Sequence, residues 1–272
     1  MPARSIDDTD LIFFDVETTG LNPADGEAIC EIGAVKVEKC IETGVFSSLL
    51  NPNKPMPEAA SAIHNIFDHD VAGAPYFGEV ADKFLCFIGD RVICGYNVSF
   101  DLAFLNHELR KINYPPLDLP AIDILTMARM AIPNLSRYGL SFVAGHLNID
   151  SDNFHRALND VRASKEIFFR ISKMAVSRGI TTLGEFITLY GCRNEAFRKE
   201  QIPKIEMIEE KIGRQEVMQI RYVSLSQDVR TFIVIPSEIS NNGDKQYLSA
   251  RRIKNSEPII FNIARILKVE DV

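Results

Sequence analysis

The stretch Leu11 to Leu21, LIFFDVETTGL, constrains this chain more than any other. Four apolar residues, Leu11 to Phe14, run into Asp15, Val16 and Glu17, and Thr18-Thr19-Gly20 follows. An apolar run of that length, closed by a turn signal, reads as a buried central strand. Side chains alternate along a strand, so Asp15 and Glu17 face the same way. Two carboxylates side by side at the end of a buried strand repel each other and lose hydration, which is costly unless a cation sits between them. The same residues also suit a strand that simply ends there with its acids in solvent, and the rest of the chain has to decide.

The 272 residues are 46% hydrophobic and 25% charged, enough for one large domain or two smaller ones. No apolar run approaches a membrane span, and MPARSIDDTD is not a signal peptide, so a cytoplasmic protein with no membrane partner is expected. The five cysteines (Cys30, Cys40, Cys86, Cys94, Cys192) form no CxxC pair and read as reduced thiols, not a disulfide frame or zinc site. The net charge of -7 argues against a broad nonspecific grip on duplex nucleic acid. It leaves room for a nucleic-acid enzyme whose metal ions supply positive charge locally. Residues 205–272 hold ten basic and ten acidic side chains, so the whole excess lies before them, one hint of two domains.

After the first strand, Asn22-Pro23-Ala24-Asp25-Gly26 reads as a turn, and Ile29 to Val37 and Gly44 to Leu50 as two more strands of a meander. Pro52 to Pro75 reads as loop, Phe77 to Ile88 as helix and Arg91 to Gly95 as a short strand. Asn97 to Ile112 is a turn into an amphipathic helix with Leu102, Leu105 and Leu109 on one face. Leu117 to Leu125 reads as strand leading into a helix that ends near Pro133, and Leu140 to Leu147 as a short helix. The long helix Ala157 to Arg178 turns Val161, Ile167, Phe168 and Ile171 inward. Strands first, then alternating helix and strand, imply an α/β fold with helices over a mixed sheet. Gly179 to Lys204 reads as a connector with one helix, Leu183 to Tyr190. A second unit follows: a helix from Ile205 to Gly213, then strands at Val217 to Val223, Arg230 to Ile235, Gln246 to Arg251 and Ile259 to Ile266, a small barrel-like β domain. The expected boundaries are therefore 1–178, 179–204 and 205–272.

Two further acids fall beside the same sheet edge. Asp101 follows a short strand in NVSFD, and Asp160 lies in HRALND, five residues after His155. Singly, Asp101 is a helix-start acid favoured by the macrodipole, and Asp160 a solvent-facing helix residue. Together, FDVETTG, NVSFD and HRALND resemble, in order and spacing, the three motifs of the DEDDh (DnaQ-like) 3'-5' exonucleases over roughly Asp10 to Met174. The resemblance implies an RNase H-like fold. It makes Asp15, Glu17, Asp101 and Asp160 metal-binding catalytic acids and His155 the general base. Phosphodiester cleavage needs a nucleophilic water, charge neutralisation at phosphorus and a stabilised leaving oxygen, and two Mg2+ or Mn2+ ions about 4 Å apart supply all three. Asp15 is expected to bridge the two ions, Glu17 and Asp160 to complete one site, and Asp101 to reach the other largely through water. By the same resemblance Thr18, Gly20 and Leu21 hold the terminal nucleotide, and Asn97 and Phe100 frame the site. His64 in AIHNI sits where many relatives carry a His-Gly pair near the 3'-end base, although Asn65 stands here in place of the glycine.

Met207 to Val272 resembles a WYL domain, a small Sm/SH3-like β fold, through Ile220-Arg221-Tyr222, Arg230 to Pro236, Tyr247-Leu248 and Phe261 to Ile266. It departs from that pattern at Gln246, where the name-giving Trp belongs, and at Ala264. The resemblance implies a basic-aromatic pocket of Tyr222, Arg230, Tyr247 and Arg265 for a nucleotide or single-stranded nucleic acid. The bland alternative makes the tyrosines strand packing and the arginines surface charge. The functional expectation is a metal-dependent 3'-5' exonuclease acting on single-stranded DNA or RNA 3' ends, DNA favoured, and releasing nucleoside 5'-monophosphates. An RNA-trimming enzyme and a non-catalytic nucleic-acid-binding regulator are the rivals, and a homodimer is compatible with the chain.

Overall fold

In a computed structural model of the chain, residues 4–150, 154–192, 194–243 and 245–272 are described. They form two compact units, Asp7–Ser172 and Lys173–Val272 with the N-terminal stretch to Ile6.

The first unit opens with three strands, β1 (Leu11–Thr18), β2 (Ile29–Glu38) and β3 (Ile41–Leu49). Two short helices follow, α1 (Glu58–His64) and α2 (Asp68–Val71), then α3 (Phe77–Ile88), β4 (Val92–Gly95), α4 (Val98–Lys111), β5 (Ala121–Asp123), α5 (Ile124–Ala131), α6 (Leu140–His146) and α7 (Ala157–Ser177). The sheet order is β3-β2-β1-β4-β5, antiparallel across β1, β2 and β3 and parallel from β1 to β4 to β5. The mixed sheet is the one expected, with β1 at its centre. Phe13 meets Phe168 of α7 edge-on at 5.3 Å, and Phe14 meets Phe84 of α3 at 6.3 Å. Adjacent strand residues point to opposite faces, so helices cover both sides of the sheet. The inward residues expected of α4 and α7 are buried: Leu102, Leu105, Leu109, Val161, Ile167, Phe168 and Ile171.

Two segments differ from expectation. Pro52 to Pro75, read as loop, holds α1 and α2. Both are too short for an amphipathic stripe and are fixed by local bonds: Asp68 accepts from Met56 N–H at 2.8 Å, and Asp70 from Phe67 N–H at 2.8 Å. The strand expected over Leu117 to Leu125 shrinks to Ala121–Asp123, because Asp123 caps α5 by accepting from the N–H groups of Leu125 and Thr126.

The second unit holds α8 (Leu183–Tyr190), α9 (Glu195–Arg214) and five strands, β6 (Met218–Val223), β7 (Val229–Asn242), β8 (Lys245–Arg252), β9 (Pro258–Asn262) and β10 (Ile266–Asp271). They form an antiparallel sheet in the order β10-β6-β7-β8-β9. Where a helix was expected only from Ile205, α9 begins ten residues earlier and runs through Pro203. A mid-helix proline costs about 3 kcal/mol. Packing offsets it: Ile208 is fully buried in the β core, and Lys204 Nζ donates to the carbonyls of Ile263 and Ile266. The single strand expected over Ile259 to Ile266 is two, split by a 3-10 turn, Ile263–Arg265, that the Asn262 side chain caps. All five cysteines are free thiols. Among the described residues no helix is long and apolar enough to cross a membrane.

Candidate active site

Sheet register builds the site. Asp15 lies opposite Gly33 of β2, and Glu17 opposite Glu31. The first turn of α7 passes close over Gly33: a Cβ there would sit 2.6 Å from Leu158 N and 2.7 Å from Ala157 C. Only a residue without Cβ allows that approach. It brings Asp160, one turn into α7, to the end of β1, where one oxygen each of Asp15, Glu17 and Asp160 lie within 4.8 Å of one another. Asp101, in the first turn of α4, is buried beside them and accepts from Val16 N–H at 3.1 Å. It stands outside the close trio.

The protein leaves this charge poorly compensated. Burial, then the charges of Asp101, Glu17, Asp160 and Glu31, push the Asp15 carboxyl well above the usual carboxylate range. Burial and the neighbouring acids, Asp160 first, raise Glu17 to about 8, with Arg156 opposing weakly. Burial also raises Asp101, against the Val16 N–H that favours its charged form. Asp160 is pushed to about 6 by burial, with the His155 N–H opposing at 3.1 Å. Hard oxygen donors, close together, half-buried or buried and short of counter-charge, fit a divalent cation of the Mg2+ or Mn2+ type.

His155 is exposed on the turn just before α7, with its backbone in the left-handed region at φ 69°. His64, at the end of α1, is 2% exposed. Its Nδ1 accepts from Ile66 N–H at 3.1 Å, its ring also hydrogen-bonds the Thr18 backbone, and burial lowers its pKa. The ring thus braces the end of β1 from inside. Asn65, the departure from the His-Gly pair, caps α1 at φ 54°. Asparagine is, after glycine, a residue that tolerates this conformation, so the backbone is kept although the residue changes. Thr18 Oγ1 donates to Gly20 O at 2.7 Å, and Leu21 is 86% exposed. Asn97 precedes α4 at φ 64°, its N–H donating to Asp123 at 2.9 Å, while Phe100 packs on Phe104 at 5.0 Å.

In the second unit, Tyr222 packs edge-on against Phe261 at 5.1 Å and also meets Phe232. Arg265 Nη1 donates to Ser224 O at 2.7 Å. Arg230, the cross-strand partner of Tyr222, is exposed beside Asp228, and Tyr247 is half-buried on β8. The structure draws Tyr222 and Arg265 into internal packing and leaves Arg230 at the surface.

Sequence reasoning missed three contributors. Gly33 is one. The others are Glu31 and Arg156: the Arg156 Nη2 donates to Glu31 Oε1 at 2.7 Å, and Glu31 is 4% exposed. An acid alone in the apolar run ICEIGAV was the available signal, since a buried carboxylate demands a partner.

Residues 12–168, which include all four acids and His155, match the sequence profile of the exonuclease family. The chain belongs to that family. Its exonuclease domain is 36% identical over 168 residues to the DNA polymerase III subunit epsilon of Rickettsia felis, covering 59% of this chain and 73% of that protein. It is 34% identical over 168 residues to the PolC-type DNA polymerase III of Clostridium perfringens, covering 61% of this chain and 12% of the polymerase's length. The nuclease domain of 3'hExo, a DEDDh family member solved with rAMP, superposes with a TM-score of 0.54 at 19% identity, over 63% of this chain and 95% of that one. That likeness establishes the α/β, RNase H-like fold of the exonuclease domain. Residues 203–272 match the spirochaete C-terminal tudor-like domain, where the sequence had resembled a WYL domain.

Proposed function

We propose that this exonuclease-family protein hydrolyses single-stranded nucleic acid from the 3' end to nucleoside 5'-monophosphates, with DNA as the favoured substrate. The observation that carries the reading is the convergence of half-buried Asp15 and Glu17 and buried Asp160, poorly compensated, at the end of the central strand. Bound at these carboxylates, divalent ions would supply Lewis-acid activation and charge neutralisation. Asp15, Glu17 and Asp160 would hold them, with Asp101 adding charge from beside the trio. His155 would accept the proton of the attacking water. Thr18, Gly20 and Leu21 would receive the terminal nucleotide, Leu21 by its exposed apolar side chain. Asn97 and Phe100 would border it, and His64 would act indirectly through Thr18.

The polymerase subunits among the relatives favour DNA. An RNA-trimming activity is the second reading, favoured by the rAMP bound to the related nuclease domain. The C-terminal β unit, of a tudor-like, WYL-like or other Sm/SH3-like type, would steady the strand or bind a nucleotide, with Arg230 and Tyr247 as its contacts. Matched 5'-labelled single-stranded DNA and RNA, incubated with Mg2+, Mn2+ or EDTA, test the reading. A metal-dependent ladder shortening from the 3' end is expected, faster on DNA. Binding without cleavage in either metal would make the protein a non-catalytic nucleic-acid-binding module instead.

A further inference from the structure

The turn that carries His155 has a feature that the metal site does not need. His155 holds φ at 69°, a backbone strained for a residue with a Cβ. Such a conformation persists where surrounding groups over-determine it. On one side, Asp160 accepts the His155 N–H at 3.1 Å. On the other, Glu31 accepts from the next two residues. Arg156 Nε reaches both carboxylate oxygens at 3.1 and 3.3 Å, Arg156 Nη2 reaches Oε1 at 2.7 Å, and the Ala157 N–H reaches Oε2 at 2.9 Å. A guanidinium fork on a carboxylate fixes orientation as well as distance. Glu31 projects from β2 at the register position opposite Glu17, so one pair of strands sets both a candidate metal acid and the anchor of the histidine turn.

We propose that Glu31 and Arg156 form a positioning pair that holds His155 where it serves the reaction, acting through the histidine and not on substrate or metal. The inference rests on His155 being the base of the nuclease reading above. Glu31 is a fifth acid beside the cluster, yet its oxygens are committed to Arg156 and Ala157 and it lies outside the close trio. Arg156 is a surface arginine by exposure, 45% in its side chain, and the rival role for it is a contact to a substrate phosphate. Removing a positioning pair lowers kcat, whereas removing a phosphate contact raises KM.

The test is a double-mutant cycle on the full chain, with kcat and KM measured on a labelled DNA oligonucleotide in Mn2+ and metal affinity by calorimetry. Glu31→Gln is expected to lower kcat by about 10- to 100-fold, the cost of displacing a catalytic group by the order of 1 Å, with KM and metal affinity unchanged. In a His155→Ala background the same substitution is expected to cost nothing further. If Glu31→Gln does not fold, as judged by circular dichroism, Arg156→Lys keeps the charge, breaks the fork and carries the same cycle. Losses that multiply in the double variant, or a rise in KM in place of a fall in kcat, would overturn the inference in a protein that cleaves. A wild-type protein without metal-dependent cleavage would overturn the nuclease reading, and this inference with it.

Discussion

The acid cluster of the first unit and the buried charges of the second are compensated to different degrees. At the end of β1, Asp15, Glu17, Asp101 and Asp160 crowd together, with backbone N–H groups, His155 and a peripheral arginine offsetting them in part. In the C-terminal unit the buried Glu185 and the half-buried Lys204 have partners within the unit. Glu185 pairs with Arg221, which also donates to Gly179 O, and Glu185 accepts from the N–H groups of Thr181 and Thr182. Lys204 is solvated by two carbonyls. Buried ions are tolerated when paired and hydrogen-bonded, and are otherwise costly. A fold that pairs its buried carboxylate in one unit and leaves four acids short of counter-charge in the other presents, in the second set, donors that fit a cation. The difference marks the end of β1 as the candidate place of chemistry without appeal to any relative.

The largest effects should come from the poorly compensated side. Asp15→Asn is expected to lower cleavage by about 10³-fold, which corresponds to about 4 kcal/mol of transition-state stabilisation. The same variant should raise the melting temperature of the metal-free protein, because it removes a half-buried carboxylate repelled by its neighbours. Activity above a few per cent of wild type, or a lower melting temperature in EDTA, would break the contrast. Gly33→Ala tests the approach of α7. Its new methyl would meet backbone atoms at 2.6 and 2.7 Å, which cannot rotate away. Activity should fall by about 100-fold through displacement of Asp160, and calorimetry should show weaker metal binding.

The compensated side should answer in stability alone. Arg221→Met leaves Glu185, 6% exposed in its side chain, without its cation. Breaking a buried pair costs about 3–5 kcal/mol, and the partial exposure of Arg221 brings this nearer to about 2 kcal/mol. The melting temperature should drop by about 5 °C, with metal affinity and kcat unchanged. A loss of metal affinity would show that the two regions are not independent.

Part of this contrast was legible in the sequence, through strand alternation for one pair of acids and through the resemblance of NVSFD and HRALND to the exonuclease motifs for the other pair. Asp15 and Glu17 share a strand face by alternation, and Asp101 and Asp160 each follow a recognisable strand or loop by a few residues. The helices with clean stripes, Phe77–Ile88 and Ala157–Ser177, were legible from their periodicity. What escaped depends on contacts across long sequence separations. Glu31 and Arg156 are 125 residues apart, and nothing local distinguishes Gly33 from any other strand glycine. The short helices α1 and α2 are fixed by side-chain-to-backbone bonds, which leave no periodic trace. Pro203 misled in the other direction, since tertiary packing of Ile208 and Lys204 outweighs a local helix breaker.

The pH dependence of stability sharpens the comparison further. In the folded, metal-free protein the cluster acids titrate high, Glu17 near 8 and Asp160 near 6. In the unfolded chain carboxylates titrate near 4. Between about pH 5 and pH 8 the folded state therefore holds more protons, and its stability falls as pH rises. His64, whose pKa is lowered by burial, opposes this only below its ordinary value. Lys204, lowered to about 8 by burial, has the opposite sign and acts above that pH, where the unfolded state holds the extra proton. Melting curves in EDTA should fall from pH 5 to 8, and saturating Mg2+ or Mn2+ should flatten the decline by replacing the missing protons. A metal-free protein whose melting temperature rises across that range would show that the cluster is not short of counter-charge.

The smallest effects should divide the four C-terminal residues into two pairs. Tyr222 packs with Phe261 and Phe232, and Arg265 donates to a backbone carbonyl, so alanine at either position should lower the melting temperature. Arg230 is 64% exposed in its side chain beside Asp228, a surface pair worth under about 1 kcal/mol, and Tyr247 is half-buried. Alanine at these two should leave the melting temperature unchanged. If the β unit holds the strand, each should weaken binding of a fluorescent single-stranded oligonucleotide about threefold to tenfold, the range expected for one lost stacking or phosphate contact. Anisotropy in an Asp15→Asn background reads binding without cleavage. Unchanged anisotropy for both variants would take the C-terminal unit out of substrate binding and leave it a self-satisfied scaffold, with all recognition confined to the exonuclease domain.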